Sequence, residues 1–153
     1  MGDMDAVNIF SAENLEGRVD VARAAGSTET AMFIYDLEPG QSSCPYHYEY
    51  EEEWLLVIAG TLVVRIPDGE RTLERGDLVR FPSGPTGAHK VMNRSESPAR
   101  MLMLSSARTP AVSVYPDSDK IGVRPGDVAD GLIFERGTIV PWSHGEEGWE
   151  RAL

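Results

Sequence analysis

The stretch His47-Tyr48-Glu49-Tyr50-Glu51-Glu52-Glu53 decides how this chain is read. On an extended backbone successive side chains point to opposite faces, so His47 and Glu49, two residues apart, project from the same face. Glu53 opens the apolar run that continues to Ala59, and on that run Leu55, Val57 and Ala59 share its face, predicting an apolar wall beside any ion held there. His89 lies well downstream, after a Gly-Pro loop and before Lys90-Val91-Met92. Two imidazoles and two carboxylates drawn from separate places in the sequence suit a first-row divalent ion with coordination positions left open.

Working outward, the stretch sits among short β-rich runs: Met32 to Tyr35, Glu53 to Ala59, Leu62 to Ile66, Leu78 to Phe81, Lys90 to Met92 and Ala99 to Leu104. Turn signals separate them, of which Asp68-Gly69 is the strongest, because Gly tolerates positive φ and Asp bonds its neighbouring backbone. Many short strands with hardly any helical periodicity predict an all-β sandwich or barrel. No internal repeat is visible, which predicts one barrel over residues 31–106. Residues 1–30 read as an N-terminal extension whose best helix propensity lies in Ala22-Arg23-Ala24-Ala25. After Ser106 the chain turns rich in Pro, Gly and large aromatics, so residues 107–153 read as an irregular extension strapped over the barrel or a partner subunit.

Composition narrows the function classes. A chain of 153 residues accommodates one hydrophobic core, and 41% hydrophobic with 25% charged residues is ordinary globular composition. No apolar run approaches the roughly 18 residues of a membrane span, and the start Met1-Gly2-Asp3-Met4-Asp5-Ala6 lacks the basic and apolar pattern of a signal peptide, so a cytoplasmic protein without a membrane partner is expected. Cys44 is the only cysteine, which excludes an internal disulfide and CxxC motifs. A net charge of −11 with scattered basic residues argues against nucleic acid as partner. Asn93-Arg94-Ser95 matches a glycosylation sequon and is read as a chance occurrence in a turn.

From Gly40 to Asn93 the sequence resembles the paired motifs of the cupin superfamily. The first motif is matched by Gly40, His47, Glu49, Glu53 and Gly60, and the second by Gly76, Pro82, Gly84, His89 and Asn93. The resemblance implies a double-stranded β-helix, or jelly-roll, barrel, often a homodimer, with metal bound inside by His47, Glu49, Glu53 and His89. There are three departures. Glu49 stands where the family usually has a second His, one extra residue separates Gly40 from His47, and two extra residues separate Gly84 from His89. The Glu makes the site harder and more anionic, favouring Mn, Fe, Ni or Zn. Two His with one carboxylate could also serve as a facial triad, leaving the other Glu as ligand or base.

The family includes isomerases, epimerases, decarboxylases and dioxygenases, so the resemblance implies a metalloenzyme acting on a small oxygen-rich metabolite, with Glu53 and Glu49 as the catalytic carboxylates. The alternative is a non-catalytic barrel that binds or senses a sugar-like molecule. Glu51 and Glu52 are expected as exposed charges and Cys44 as a semi-buried packing residue. His144, Glu146 and Glu147 are expected in an acidic tail rather than a second metal site. Trp142 and Trp149 suit either closure of the barrel mouth or dimer packing. Arg65, Arg80 and Lys90 are the candidates for meeting an anionic group.

Overall fold

A computed structural model of the protein describes residues 6–12, 17–126 and 128–146. Strands follow in chain order: β1 (Arg18–Asp20), β2 (Thr30–Leu37), β3 (Tyr48–Glu49), β4 (Glu53–Ala59), β5 (Thr61–Ile66) and β6 (Gly69–Glu74). They continue as β7 (Leu78–Phe81), β8 (Lys90–Met92), β9 (Ala99–Ser106), β10 (Ala111–Tyr115), β11 (Lys120–Arg124) and β12 (Leu132–Glu135). One turn of helix, α1 (Val21–Ala24), follows β1, capped by Asp20, whose carboxylate accepts from the Arg23 amide at 3.0 Å. This turn lies where the local helix propensity is highest.

All strand pairings are antiparallel. One wall of the barrel is a five-stranded sheet in the order β1-β2-β9-β4-β7. The opposite wall is made of β6-β5-β8 and β12-β11-β10-β3. Residues 41–49 join these two pieces. Their first part pairs with β8, through Asn93 N to Gln41 O at 2.9 Å and Ser43 N to Val91 O at 3.1 Å, and β3 then pairs with β10. Between Ser42, opposite Met92, and His47, opposite His89, the 41–49 side carries two more residues than its partner. The additional length ahead of His47 is thus taken up as a bulge.

Leu37, Leu55, Val57, Leu62, Phe81 and Met101 belong to the core between the walls. Leu55 and Val57 are buried, as their alternation predicts, whereas Ala59 is exposed. The β4–β9 register shifts between Val57 and Ala59, and that irregularity breaks the alternation before the strand ends.

The stretch after Ser106 holds more regular structure than its Pro and Gly content predicts. β10 (Ala111–Tyr115) and β11 (Lys120–Arg124) each carry two β-branched residues in a run of only five, separated by Pro116, Asp117 and Ser118, so a strand signal is present but short. At the other end, Arg100 forms a two-point salt bridge with Asp36 and donates to the carbonyls of Ile9, Phe10 and Ala12, tying that segment to the barrel. Asn93 is fully buried: its amide donates to Leu37 O and Ser97 O, both at 2.8 Å, and its oxygen accepts from Ser95. Such a side chain is a structural tie, and the sequon around it is not accessible in the folded chain.

Candidate metal centre

His47 and His89 lie directly opposite each other on adjoining backbones that exchange both hydrogen bonds, His47 N to His89 O at 3.0 Å and His89 N to His47 O at 2.8 Å. Cross-strand neighbours of this kind bring side chains together on one face, and the two rings are 4.8 Å apart. Glu53, the first residue of β4, reaches across from the opposite wall. Its Oε2 is 3.6 Å from His89 Nε2 and 4.0 Å from His47 Nε2. One ligand atom from each of the three lies within 4.8 Å of the others.

The rings are locked. Phe81 stacks on His89 at 3.7 Å with 9° between planes, and Tyr115 stacks on His47 at 5.9 Å. His89 Nδ1 is 2.9 Å from Gly87 O, and His47 Nδ1 is 3.1 Å from Pro45 O. A carbonyl only accepts, so each Nδ1 carries the proton and each Nε2 presents a lone pair to the shared centre. His89 Nε2 is buried and has no hydrogen-bond partner. Buried acceptors are nearly always satisfied, and a cation among the three groups is the partner this one fits.

Electrostatics agree. Burial pushes His89 down to about 4, with the nearby His47 adding to the effect against the opposing bond to Gly87. Burial also lowers His47, against the pull of Glu49. Both imidazoles are therefore neutral at neutral pH, as ligands must be. Burial, then the Glu49 carboxylate, pushes Glu53 up to about 8, while Arg124 acts in the opposite direction. A divalent ion held there would oppose that shift by favouring the carboxylate.

The four-residue set expected from sequence divides into three and one. Glu49 lines the same cavity but stands outside the ligand cluster. Its carboxylate accepts from Ser113 Oγ at 2.7 Å, directly across the β3–β10 ladder. The reason is backbone pairing: at Tyr48 the chain has left β8 for β10, and Ser113 on that new partner takes hold of the side chain.

Glu51 also differs from expectation, being half-buried in the cavity wall and accepting from Ser106 Oγ. Glu52 is exposed and pairs with Arg80. Cys44 is a part-buried thiol lining the cavity, which burial pushes up to about 11, well away from thiolate reactivity. Arg65 is tied to Asp117 and Arg80 to Glu52, and neither they nor Lys90 line the cavity. The arginines that do are Arg18, Arg108 and Arg124, which sequence reasoning missed. Arg124 enters because it is the register partner of Ala111, a pairing between strands that the irregular composition hid. His144 and Glu146 are not part of the ligand cluster, and Trp142 is exposed. Glu147 and Trp149 lie outside the described residues.

The cavity above the three ligands has a volume of about 400 Å³. Phe33, Tyr35 and Met103 give it one apolar side, and Glu49, Ser105 and Ser113 contribute polar groups.

A family model described as "Cupin domain" matches residues 33–105. Among curated proteins, the tetracenomycin polyketide synthase protein TcmJ of Streptomyces glaucescens is 30% identical over 87 residues. That match covers 57% of this chain and 57% of the relative, so the chain spans little more than half the length of the curated protein it matches. Among solved structures, a sugar phosphate isomerase from a cupin superfamily of Silicibacter pomeroyi is similar at 28% identity and TM-score 0.72, over 81% of this chain and 80% of that one. The polyketide cyclase RemF of Streptomyces resistomycificus shares the fold at 17% identity and TM-score 0.59, over 71% of this chain and 84% of that one.

Proposed function

The chain belongs to the cupin superfamily, and on that premise we propose that it is a metal-dependent enzyme that relocates a proton on a small oxygen-rich metabolite, as an isomerase does. The observation that carries this reading is Glu49: a carboxylate in the cavity, oriented by Ser113 and outside the ligand cluster. His47, Glu53 and His89 would hold a divalent ion, Mn, Fe, Ni or Zn, which would supply Lewis-acid stabilisation of charge on a substrate oxygen. Glu49 is the base. It takes a proton from the hydroxyl-bearing carbon next to the substrate carbonyl and returns it to the carbonyl carbon, while the hydroxyl proton passes to the former carbonyl oxygen, so hydrogen moves with no net oxidation. Glu53, the other carboxylate expected to be catalytic, serves as ligand. The likeness to the Silicibacter pomeroyi sugar phosphate isomerase supports this class.

Glu49→Gln tests the assignment. Incorporation of solvent deuterium into a panel of small hydroxy-ketones and hydroxy-aldehydes, followed by NMR, is expected to fall by about 10²–10⁴-fold with metal content unchanged. An unchanged exchange rate, or loss of metal from this variant, defeats the role of Glu49 as base. A second reading, dioxygenase-like, is favoured by the two-His, one-carboxylate set itself. It requires iron, and oxygen uptake by the iron-loaded chain would replace the isomerase reading. A barrel that binds without turnover shows neither activity.

We also propose a homodimer. Leu132, Ile133 and Phe134 are consecutive on β12, the end strand of its sheet, and all three are exposed. Both faces of this strand are therefore bare and apolar, the condition that edge strands usually avoid unless something covers them. Light scattering is expected to give twice the chain mass of 16.8 kDa, and Phe134→Glu to give monomer. A monomeric wild-type protein overturns the dimer.

A further inference from the structure

Among the described residues five arginines form salt bridges, Arg65, Arg80, Arg94, Arg100 and Arg136, and none of them lines the cavity. The three that do line it, Arg18, Arg108 and Arg124, have no carboxylate partner among the described residues. This is unexpected in a chain with 25 acidic residues against 14 basic ones. The cavity has carboxylates of its own, but the direct partner of each is a group other than these arginines. Glu49 accepts from Ser113, Glu51 from Ser106, Asp20 caps α1, and Glu53 belongs to the ligand cluster. Three guanidiniums thus line one concave site with no direct ion pair among the described residues, Arg124 acting on Glu53 only from a distance.

We propose that Arg18, Arg108 and Arg124 form the receptor for a phosphate group on the substrate, whose oxygen-bearing carbons lie over His47, Glu53 and His89. The number of arginines selects the anion. A single guanidinium satisfies a carboxylate through a two-point fork, whereas a phosphate monoester carries about −1.5 to −2 charges near neutral pH and offers three acceptor oxygens. Arg18 is held with its guanidinium 4.6 Å from the centre of the Phe33 ring, a cation–π contact that steadies it without neutralising it. Arg124 is on β11, opposite Ala111 on the strand that carries Ser113, so the phosphate receptor and the support of Glu49 share one sheet. A cavity of about 400 Å³ is near the small end of ligand sites, which run from roughly 300 to 1,000 Å³. The ligand class is therefore a small phosphorylated hydroxy-carbonyl compound.

This inference rests on the proposed function for what happens at the ligand cluster, but not for the arginines. Titration calorimetry on the full chain as purified, with glycerol 3-phosphate, glycerate and glycerol as probes, tests it. Glycerol 3-phosphate is expected to bind in clear preference to the other two. Arg124→Ala and Arg108→Ala are each expected to weaken it roughly tenfold or more, with Arg124→Lys recovering part of the loss and melting temperatures unchanged. Arg71→Ala, the same change of charge at an exposed position on β6, is expected to leave binding as it is. Equal binding of glycerate, no preference over glycerol, or equal weakening by Arg71→Ala overturns the receptor. Repeating the titration after EDTA treatment separates the two readings. Phosphate binding that survives EDTA and still depends on Arg124 supports the receptor whether or not the metal reading holds. Binding that vanishes with EDTA and ignores Arg124 places the phosphate on the metal and overturns the receptor alone.

Discussion

His89→Ala is expected to abolish metal retention, lowering metal content measured by inductively coupled plasma mass spectrometry from about one equivalent per chain to background. Loss of groups that merely orient a ligand commonly costs 10–100-fold in affinity, so loss of a ligand from a set of three is expected to cost more than about 100-fold. The stability signature is separate and more telling. In the metal-free chain His89 Nε2 is a buried acceptor without a partner, so removing the ring discards an unfavourable group along with its favourable stacking on Phe81. These effects oppose each other. With metal at about a thousand times Kd, by contrast, the wild-type chain gains about 4 kcal/mol, and the variant gains none. Melting curves with and without added Mn, Fe, Ni or Zn should therefore separate widely for wild type and coincide for His89→Ala. Wild-type curves that coincide with every one of these metals overturn the metal centre.

Gly87→Ala is expected to be the most damaging glycine-to-alanine change among the described residues. Gly87 is buried in the turn before His89, and a Cβ there would lie 1.7 Å from the Pro82 carbonyl oxygen and 2.8 Å from its carbon. Those atoms are backbone, so no rotamer change relieves the contact and the loop itself must move. Overpacking typically costs about 1–3 kcal/mol, and this collision belongs at or above the top of that range. The damage reaches the site directly, because Gly87 O is the acceptor that fixes the His89 tautomer. Denaturant midpoint and metal content are expected to fall together. Gly137→Ala, where the added Cβ meets nothing within 4 Å, should leave both within error. A Gly87→Ala chain with wild-type midpoint and metal content defeats this account of the loop.

What could be read in advance was local. His47, Glu53 and His89 announce themselves by motif spacing, and Leu55 and Val57 by the two-residue period of a half-buried strand. The period fails at Ala59 because β4 there advances two residues for one on β9, an irregularity of pairing that a two-residue period does not anticipate. Glu49 likewise has a partner that its local spacing does not reveal. Two-residue spacing places it in the cavity with His47, as found, but its hydrogen bond from Ser113 comes from far along the chain. The cavity arginines needed still longer reach. Arg124 lies near Glu53 only once β10 and β11 have paired and β10 has joined β3. Arg65 and Arg80, nearer the motifs in sequence, turn out to serve salt bridges on the outside.

The direct opposition of His47 and His89 also bears on how the chain reaches its fold. A slip of one residue between neighbouring strands turns a whole set of side chains to the other face, so at this seam it would carry one imidazole out of the barrel while the other stayed within. Only the native register offers both rings to the same ion. An ion held at this seam would therefore favour chains closed in the native register over chains that had slipped.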